Sequence, residues 1–207
     1  MRKCLIAGGG RIDNLSWLKK TAEECDYINA ADKGYKTLKK ADVEIDIAIG
    51  DFDSLGYVPE DVIVKKLKAE KDDTDTMTAV RYALDKGAEE ILILGGTGGR
   101  LDHTVANLQT LSFIAYHGAL GKLIDETNEI MGLIPGEYKF QNRAGHSLST
   151  FSMTDEVTGL CENGVKYPLD NAVLTNKFPL GVSNEIVEDF AVISFKSGIL
   201  FVCLSKL

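Results

Sequence analysis

Four short apolar runs, Cys4–Ala7, Tyr27–Ala30, Ile47–Ile49 and Ile91–Leu94, punctuate residues 1–125, and amphipathic segments lie between and after them at Asn14–Glu24, Gly34–Lys40, Asp75–Lys86 and Leu101–His117. This alternation constrains the fold more than any other feature. A continuous apolar run is a strand buried on both faces, and strands alternating with helices pair in a mostly parallel sheet that the helices cover. In the last helix Leu101, Val105, Leu108 and Ser112 follow the i, i+4, i+7, i+11 spacing of one face. Ligands of such sheets bind beyond the carboxyl ends of the strands.

After about residue 125 the pattern changes. Glu129–Ile134, Glu137–Gln141, Ser147–Met153, Glu156–Glu162, Ile186–Asp189, Ala191–Phe195 and Ile199–Leu204 are short strand candidates, several bounded by Gly, Asn or Pro. Their close spacing predicts an antiparallel β-sandwich or barrel. Two domains are expected, an α/β (Rossmann-like) domain over 1–125 and an all-β domain over 126–207. No internal repeat or low-complexity tract stands out.

The chain is 44% hydrophobic, enough to build a core, which argues against a disordered chain. Its net charge of -8 opposes a broad basic surface for nucleic acid. The excess is local: between Asp42 and Asp75 there are 11 acids and four bases. Cys4, Cys25, Cys161 and Cys203 form no C-x-x-C pair and read as reduced structural thiols. The basic and then apolar start is cut short by Gly8-Gly9-Gly10, too early for a signal-peptide core. No apolar stretch approaches the roughly 18 residues of a membrane helix. No membrane or nucleic-acid partner is expected, and a cytoplasmic location is.

Three segments carry the chemistry. Gly50-Asp51-Phe52-Asp53-Ser54 follows an apolar run, and in extended chain its two Asp side chains would share a face with Phe52 opposite. Carboxylates so placed suit Mg²⁺, a hard cation that takes oxygen ligands and substrate phosphates. Lys71-Asp72-Asp73-Thr74-Asp75 adds three carboxylates before a predicted helix; a helix cap needs one such residue, and adjacent like charges call for a cation or solvent. Gly95-Gly96-Thr97-Gly98-Gly99-Arg100-Leu101-Asp102-His103 joins strand to helix. Its glycines and helix N-terminus suit phosphate, with Arg100 as a forked donor, although no Walker Lys follows. Gly8-Gly9-Gly10 reads as a tight turn, since Asp13 stands where a dinucleotide fingerprint needs glycine. His103, His117 and His146 show no zinc-ligand spacing. Trp17 reads as packing and Gly181–Glu185, taken alone, as a turn.

These elements in this order resemble the thiamine pyrophosphokinase (thiamine diphosphokinase) family. The resemblance rests on Ala31-Asp32-Lys33-Gly34, on the three segments above and on Val182-Ser183-Asn184-Glu185, spanning about residues 31 to 185. Lys33 departs from the family, which usually has a second small residue there. The resemblance implies an N-terminal nucleotide-binding catalytic domain, a C-terminal thiamine-binding β-sandwich, and a homodimer with an active site shared between subunits. It implies Mg²⁺-dependent transfer of the β,γ-diphosphoryl group of ATP to the thiamine hydroxyl, giving thiamine diphosphate and AMP. On that pattern Asp51, Asp53, Asp72 and Asp75 match the metal and catalytic positions. Asp32, Thr74, Gly96, Thr97, Arg100, Asp102 and His103 fall with the nucleotide, Ser183 and Asn184 match thiamine contacts, and Tyr167 matches an aromatic stacked on thiamine.

The charge agrees with this chemistry. An acidic pocket repels ATP unless a divalent cation bridges carboxylates and phosphates, and residual negative charge favours the thiazolium cation of thiamine. Three other readings compete. An aspartate-nucleophile phosphohydrolase would use Asp51-Phe52-Asp53 and leave the other segments idle. A pyrophosphokinase for a pterin alcohol would change only the acceptor pocket, and a nucleotide-sensing module would bind ATP without forming AMP.

Overall fold

The apolar runs of the first half become the centre of a six-stranded parallel sheet. In the computed structural model, which describes residues 2–67, 73–141 and 143–207, the chain divides into two units, Met1–Glu126 and Thr127–Leu207. Unit 1 holds β1 (Lys3–Ala7), β2 (Tyr27–Ala31), β3 (Ile47–Gly50), β4 (Ile63–Lys66), β5 (Glu90–Leu94) and β6 (Leu120–Ile124). Their order is β6-β5-β1-β2-β3-β4, and every neighbouring pair is parallel. The α/β expectation holds, with two strands added. β4 is an edge strand of sequence Ile-Val-Lys-Lys whose Ile63 is 72% exposed, so no buried run announces it. β6 alternates buried with half-buried positions instead of running apolar.

The helices are α1 (Leu15–Glu23), α2 (Gly34–Lys40), α3 (Asp75–Asp85) and α4 (Leu101–Tyr116). Leu18 and Ala22 of α1 and Tyr35 and Leu38 of α2 pack on Leu5, Ala7, Ile28, Ala30 and Ala48. Alternation along β2 turns Asn29 to the opposite face, where its amide donates to the Ala79 carbonyl of α3 at 3.4 Å. The sheet is therefore covered on both sides. The turn from β2 into α2 presses on β1 so closely that a Cβ on Gly34 would stand 1.8 Å from the Ala7 carbonyl oxygen, which only glycine tolerates.

The face of α4 differs from the one expected. Leu101 and Val105 are exposed, and Asn107, Thr110, Leu111, Ile114 and Ala115 are buried. Asn107 and Thr110 are polar, so a purely apolar template passes over this stripe. Their polar groups are satisfied by Nδ2 of Asn107 donating to the Gly96 carbonyl at 2.9 Å and the Thr110 hydroxyl donating to the Ala106 carbonyl at 2.9 Å.

Unit 2 contains β7 (Asn128–Leu133), β8 (Gly136–Gln141), β9 (His146–Ser152), β10 (Glu156–Asn163), β11 (Leu169–Thr175), β12 (Gly181–Glu185), β13 (Phe190–Phe195) and β14 (Leu200–Lys206). They form two antiparallel sheets, β12-β9-β14-β7 and β11-β10-β13-β8, the all-β architecture expected. Two local expectations are corrected. Gly181–Glu185 is a strand, and Ile186–Asp189 contributes only a single bridge from Ile186 to Val165. Ser183, at φ 61, marks an irregularity in the β12–β9 register that hides the strand from a strict period of two. β11 was also not anticipated; Asn171, at φ 47, interrupts its alternation.

All four cysteines are free. Burial pushes the Cys4 thiol up to about 12 and the Cys25 thiol to about 11, so both are protonated at neutral pH and packed as small apolar groups. Among the described residues no helix is long and apolar enough to cross a membrane.

Candidate functional site

β1 lies in mid-sheet with β2 on one side and β5 on the other, so the chain reverses its winding direction between β1 and β5. The loops leaving two such strands splay apart and leave a crevice. Here they are stitched at the base, Gly8 N–H to the Leu94 carbonyl at 2.8 Å and Gly10 N–H to the Gly95 carbonyl at 2.9 Å. A Cβ on Gly10 would meet that Gly95 oxygen at 2.3 Å, so this close approach requires glycine.

A cavity of about 440 Å³ opens above, walled by both glycine loops, by Asp32, Lys33 and Ser54, and by the start of α4 with His103 and Asn107. A shallower cavity of about 370 Å³ adjoins it and adds Lys36. The walls present Arg11, Lys33 and Arg100, so the pocket of an acidic protein is lined with cations.

The glycine loop after β1 is more than the expected tight turn. Gly9-Gly10-Arg11-Ile12-Asp13 and Gly98-Gly99-Arg100-Leu101-Asp102 are near copies, and both carry an arginine to the cavity. In each, the arginine binds the carboxylate two residues on. Nε of Arg11 reaches Asp13 at 2.6 Å, and Arg100 makes a forked contact to Asp102 at 2.5 and 3.1 Å. The Arg100 guanidinium, together with the His103 N–H, holds the Asp102 carboxyl below the usual carboxylate range. Arg11 was missed by sequence reasoning; the repeated Gly-Gly-Arg-apolar-Asp string was the available signal, too short to count as a repeat.

Asp32 follows β2 directly, at φ 48, and one of its oxygens, Oδ2, accepts a short hydrogen bond from the Ser54 hydroxyl. Its other oxygen, Oδ1, is buried without a hydrogen-bond partner among the described residues. A buried acceptor left so is costly and marks a place for a donor or a cation. A Cβ on Gly50 would lie 3.3 Å from the Asp32 Cα, which puts the start of the Asp51–Ser54 loop beside Asp32.

That loop is not extended as expected. β3 stops at Gly50 and the chain turns, with Phe52 at φ 63 and the Asp53 N–H donating to Asp51 Oδ1 at 3.2 Å. Phe52 still faces away from the acids, into the core.

Thr74 is the N-cap of α3, its hydroxyl accepting the Met77 N–H at 3.1 Å, and Asp75 is the first helical residue. Asp73 pairs with Arg81 at 3.0 Å. Asp72 lies outside the described residues.

The structure thus brings Asp32, Gly96, Thr97, Arg100 and His103 to one cavity, adds Arg11, Lys33 and Ser54, and leaves Asp51, Asp53, Thr74, Asp75 and Asp102 off its lining. The acidic donors are all oxygens, the donor type a hard cation takes, and the unpartnered Asp32 oxygen agrees with one. Among the described residues no three His, Cys, Asp or Glu side chains converge as a metal cage.

In unit 2, Tyr167 and Ser183 are exposed and Asn184 is buried. The Asn184 amide is engaged on both atoms: Oδ1 accepts from the Tyr167 and Glu185 N–H groups, each at 3.0 Å, and Nδ2 donates to the Tyr167 carbonyl at 2.8 Å.

Comparison with known proteins supplies independent findings. Residues 18–120 match the family described as "Thiamin pyrophosphokinase, catalytic domain", and residues 137–200 match "Thiamin pyrophosphokinase, vitamin B1 binding domain". The chain is 35% identical over 214 residues to a thiamine pyrophosphokinase of Bacillus subtilis, covering 99% of each. Among solved structures, the B. subtilis thiamine pyrophosphokinase matches with a TM-score of 0.86 at 31% identity over 99% of both chains. A thiamin pyrophosphokinase family protein of Enterococcus faecalis matches at 0.83 and 33% over 100% of both.

Proposed function

The chain belongs to the thiamine pyrophosphokinase family and is therefore an enzyme, a thiamine diphosphokinase; we propose that it transfers the β,γ-diphosphoryl group of ATP to the thiamine hydroxyl, with release of AMP. The observation that carries this reading is the cavity at the β1/β5 reversal, where two glycine loops present arginines on one side and Asp32 stands on the other. Backbone N–H groups and arginine forks suit a polyphosphate, and fixed charges that need no reorganisation favour the charge that shifts during transfer.

In this reading unit 1 is the nucleotide-binding catalytic domain and unit 2 the thiamine-binding domain. Asp32, Thr74, Gly96, Thr97, Arg100, Asp102 and His103 serve the nucleotide, Thr74 by capping α3 and Asp102 by aiming Arg100. Mg²⁺ would be held by Asp51, Asp53, Asp75 and Asp72, where it neutralises phosphate charge. One carboxylate accepts the proton of the thiamine hydroxyl. Tyr167 and Ser183 face the acceptor. A homodimer whose subunits share the active site, working in the cytoplasm, belongs to the same proposal.

The test is incubation with ATP, Mg²⁺ and thiamine, following AMP and thiamine diphosphate, which are expected one to one. Folded protein that forms no thiamine-dependent AMP overturns the proposal, as would release of inorganic phosphate alone. Sedimentation should show a dimer at assay concentrations.

The paired loops give a second expectation. Arg11→Ala should raise the KM for ATP several-fold with the KM for thiamine unchanged, as should Arg100→Ala. An unchanged KM for ATP in Arg11→Ala would leave the first loop with no part in phosphate binding.

A further inference from the structure

Glu162 lies in β10 at 0% exposure. Among the described residues it has no cation partner. Its contacts are two hydrogen bonds, one accepted by Oε1 from the Thr150 hydroxyl of β9 at 2.7 Å and one accepted by Oε2 from Asn184 Nδ2 of β12 at 3.2 Å. A carboxyl group without a cation in the interior of a sandwich is expensive, and an apolar side chain would fill the same place at lower cost. Burial accordingly holds its titration above the ordinary glutamate range.

What the carboxyl secures is the orientation of Asn184. A side-chain amide presents an acceptor on one side and donors on the other, and a half-turn exchanges them. As a carboxylate Glu162 accepts only, so in that form it fixes Nδ2 on its own side. Once so fixed, the amide grips both backbone polar groups of Tyr167, its N–H and its carbonyl, and the N–H of Glu185 as well. Lys166, the preceding residue, donates its N–H to the Glu185 carbonyl at 2.9 Å. The backbone at Tyr167 is thereby tied down while its side chain stays exposed at 64%. An exposed aromatic on a clamped backbone is a preorganised platform, one that loses little freedom when a flat ligand stacks on it.

We propose that Glu162 is a positioning residue that acts through Asn184 to hold Tyr167 in place for the acceptor substrate, so that Asn184 supports the platform from beneath. The inference rests on the reading of Tyr167 as the surface that meets thiamine.

Two measurements on Glu162→Ala and Glu162→Gln test it. The first is amide hydrogen exchange at Tyr167, with Leu5 and Ile6 of β1, buried in the sheet of unit 1, as internal controls. The second is steady-state kinetics with thiamine and ATP varied separately. Glu162→Ala should speed exchange at Tyr167 at least about tenfold, the equivalent of about 1.4 kcal/mol, and raise the KM for thiamine while leaving the KM for ATP unchanged. Gln can present its carbonyl to Asn184 and its amide to the Thr150 oxygen, so Glu162→Gln should restore both. If Glu162→Ala does not fold, Thr150→Val removes only one hydroxyl from the network and should show the same two changes in weaker form. Wild-type exchange at Tyr167 in a folded Glu162→Ala or Thr150→Val protein overturns the clamp, as does a Gln variant as impaired as the Ala variant. Tyr167→Ala separates the premise: an unchanged KM for thiamine there removes Tyr167 from the acceptor site, whatever exchange shows about the clamp.

Discussion

Asp75→Asn is expected to lower turnover at least about a hundredfold while unit 1 stays folded. The separation of the two effects follows from where the residue sits. Asp at the first turn of a helix is ordinarily explained by capping, or by favourable interaction with the helix dipole. Here the cap is Thr74, whose hydroxyl already accepts the Met77 N–H. The adjacent Asp73 is occupied by Arg81. Converting Asp75 to its neutral isostere keeps the side chain's size and removes an interaction with the helix dipole of about 0.3–1 kcal/mol, a small fraction of the stability of a typical domain. Its part in the proposed chemistry depends wholly on charge, since an amide cannot replace a carboxylate that faces Mg²⁺ and phosphate. The comparison to make is kcat against the denaturation midpoint of the same preparation. Near-normal kcat would remove Asp75 from the metal site, and an equal collapse of both quantities would return it to a structural role.

The parts of the fold legible in the sequence are those where burial is two-sided or turns are strict. β1, β2, β3 and β5 are continuous apolar runs because both faces of the sheet are covered, and such runs survive any uncertainty about helix faces. β4 and β6 were not legible for the opposite reason. An edge strand keeps lysines and an exposed isoleucine, and nothing in Ile-Val-Lys-Lys separates it from a loop. In α4 the helix was visible but its inward face was not, because Asn107 and Thr110 are buried by hydrogen bonds instead of by apolarity.

The candidate site divides in the same way. Asp32, Arg100 and His103 were assigned from their motifs, whereas Arg11 and Ser54, the latter at the end of a quoted segment, are brought to the cavity by the strand order, which places the ends of β1, β2 and β3 beside one another. The acidic window also sorts itself physically. Asp42 and Asp61 form exposed ion pairs with Lys19 and Lys39 at 2.8 and 2.7 Å, while Asp46 accepts the Ile28 N–H at 2.7 Å. These acids are surface and backbone fixtures, and the acids proposed to face phosphate are a separate set.

Phe52→Ala is expected to lower the stability of unit 1 by about 3–5 kcal/mol, the largest loss from a single side chain argued for this protein. Phe52 is 2% exposed, among the largest fully buried side chains, and packs in the cluster formed by α1, α2 and one face of the sheet. It also stands at φ 63, a backbone region in which a bulky residue costs about 1–3 kcal/mol. That conformation persists because the ring, once buried, over-determines it, and the same turn sets Asp51 and Asp53 on the side away from the core. The ring is thus the anchor by which hydrophobic burial positions the two carboxylates that flank it. Trp17, the sole tryptophan, packs against the same cluster, so its fluorescence reports unfolding of unit 1 directly. Phe52→Leu keeps most of the volume and should lose far less. Unlike Asp75→Asn, Phe52→Ala should shift the denaturation midpoint and reduce activity together, even below the unfolding transition, because the loop is released before the domain melts. A midpoint close to wild type in Phe52→Ala would show that the turn is held by its own backbone and that the buried ring is not what places Asp51 and Asp53.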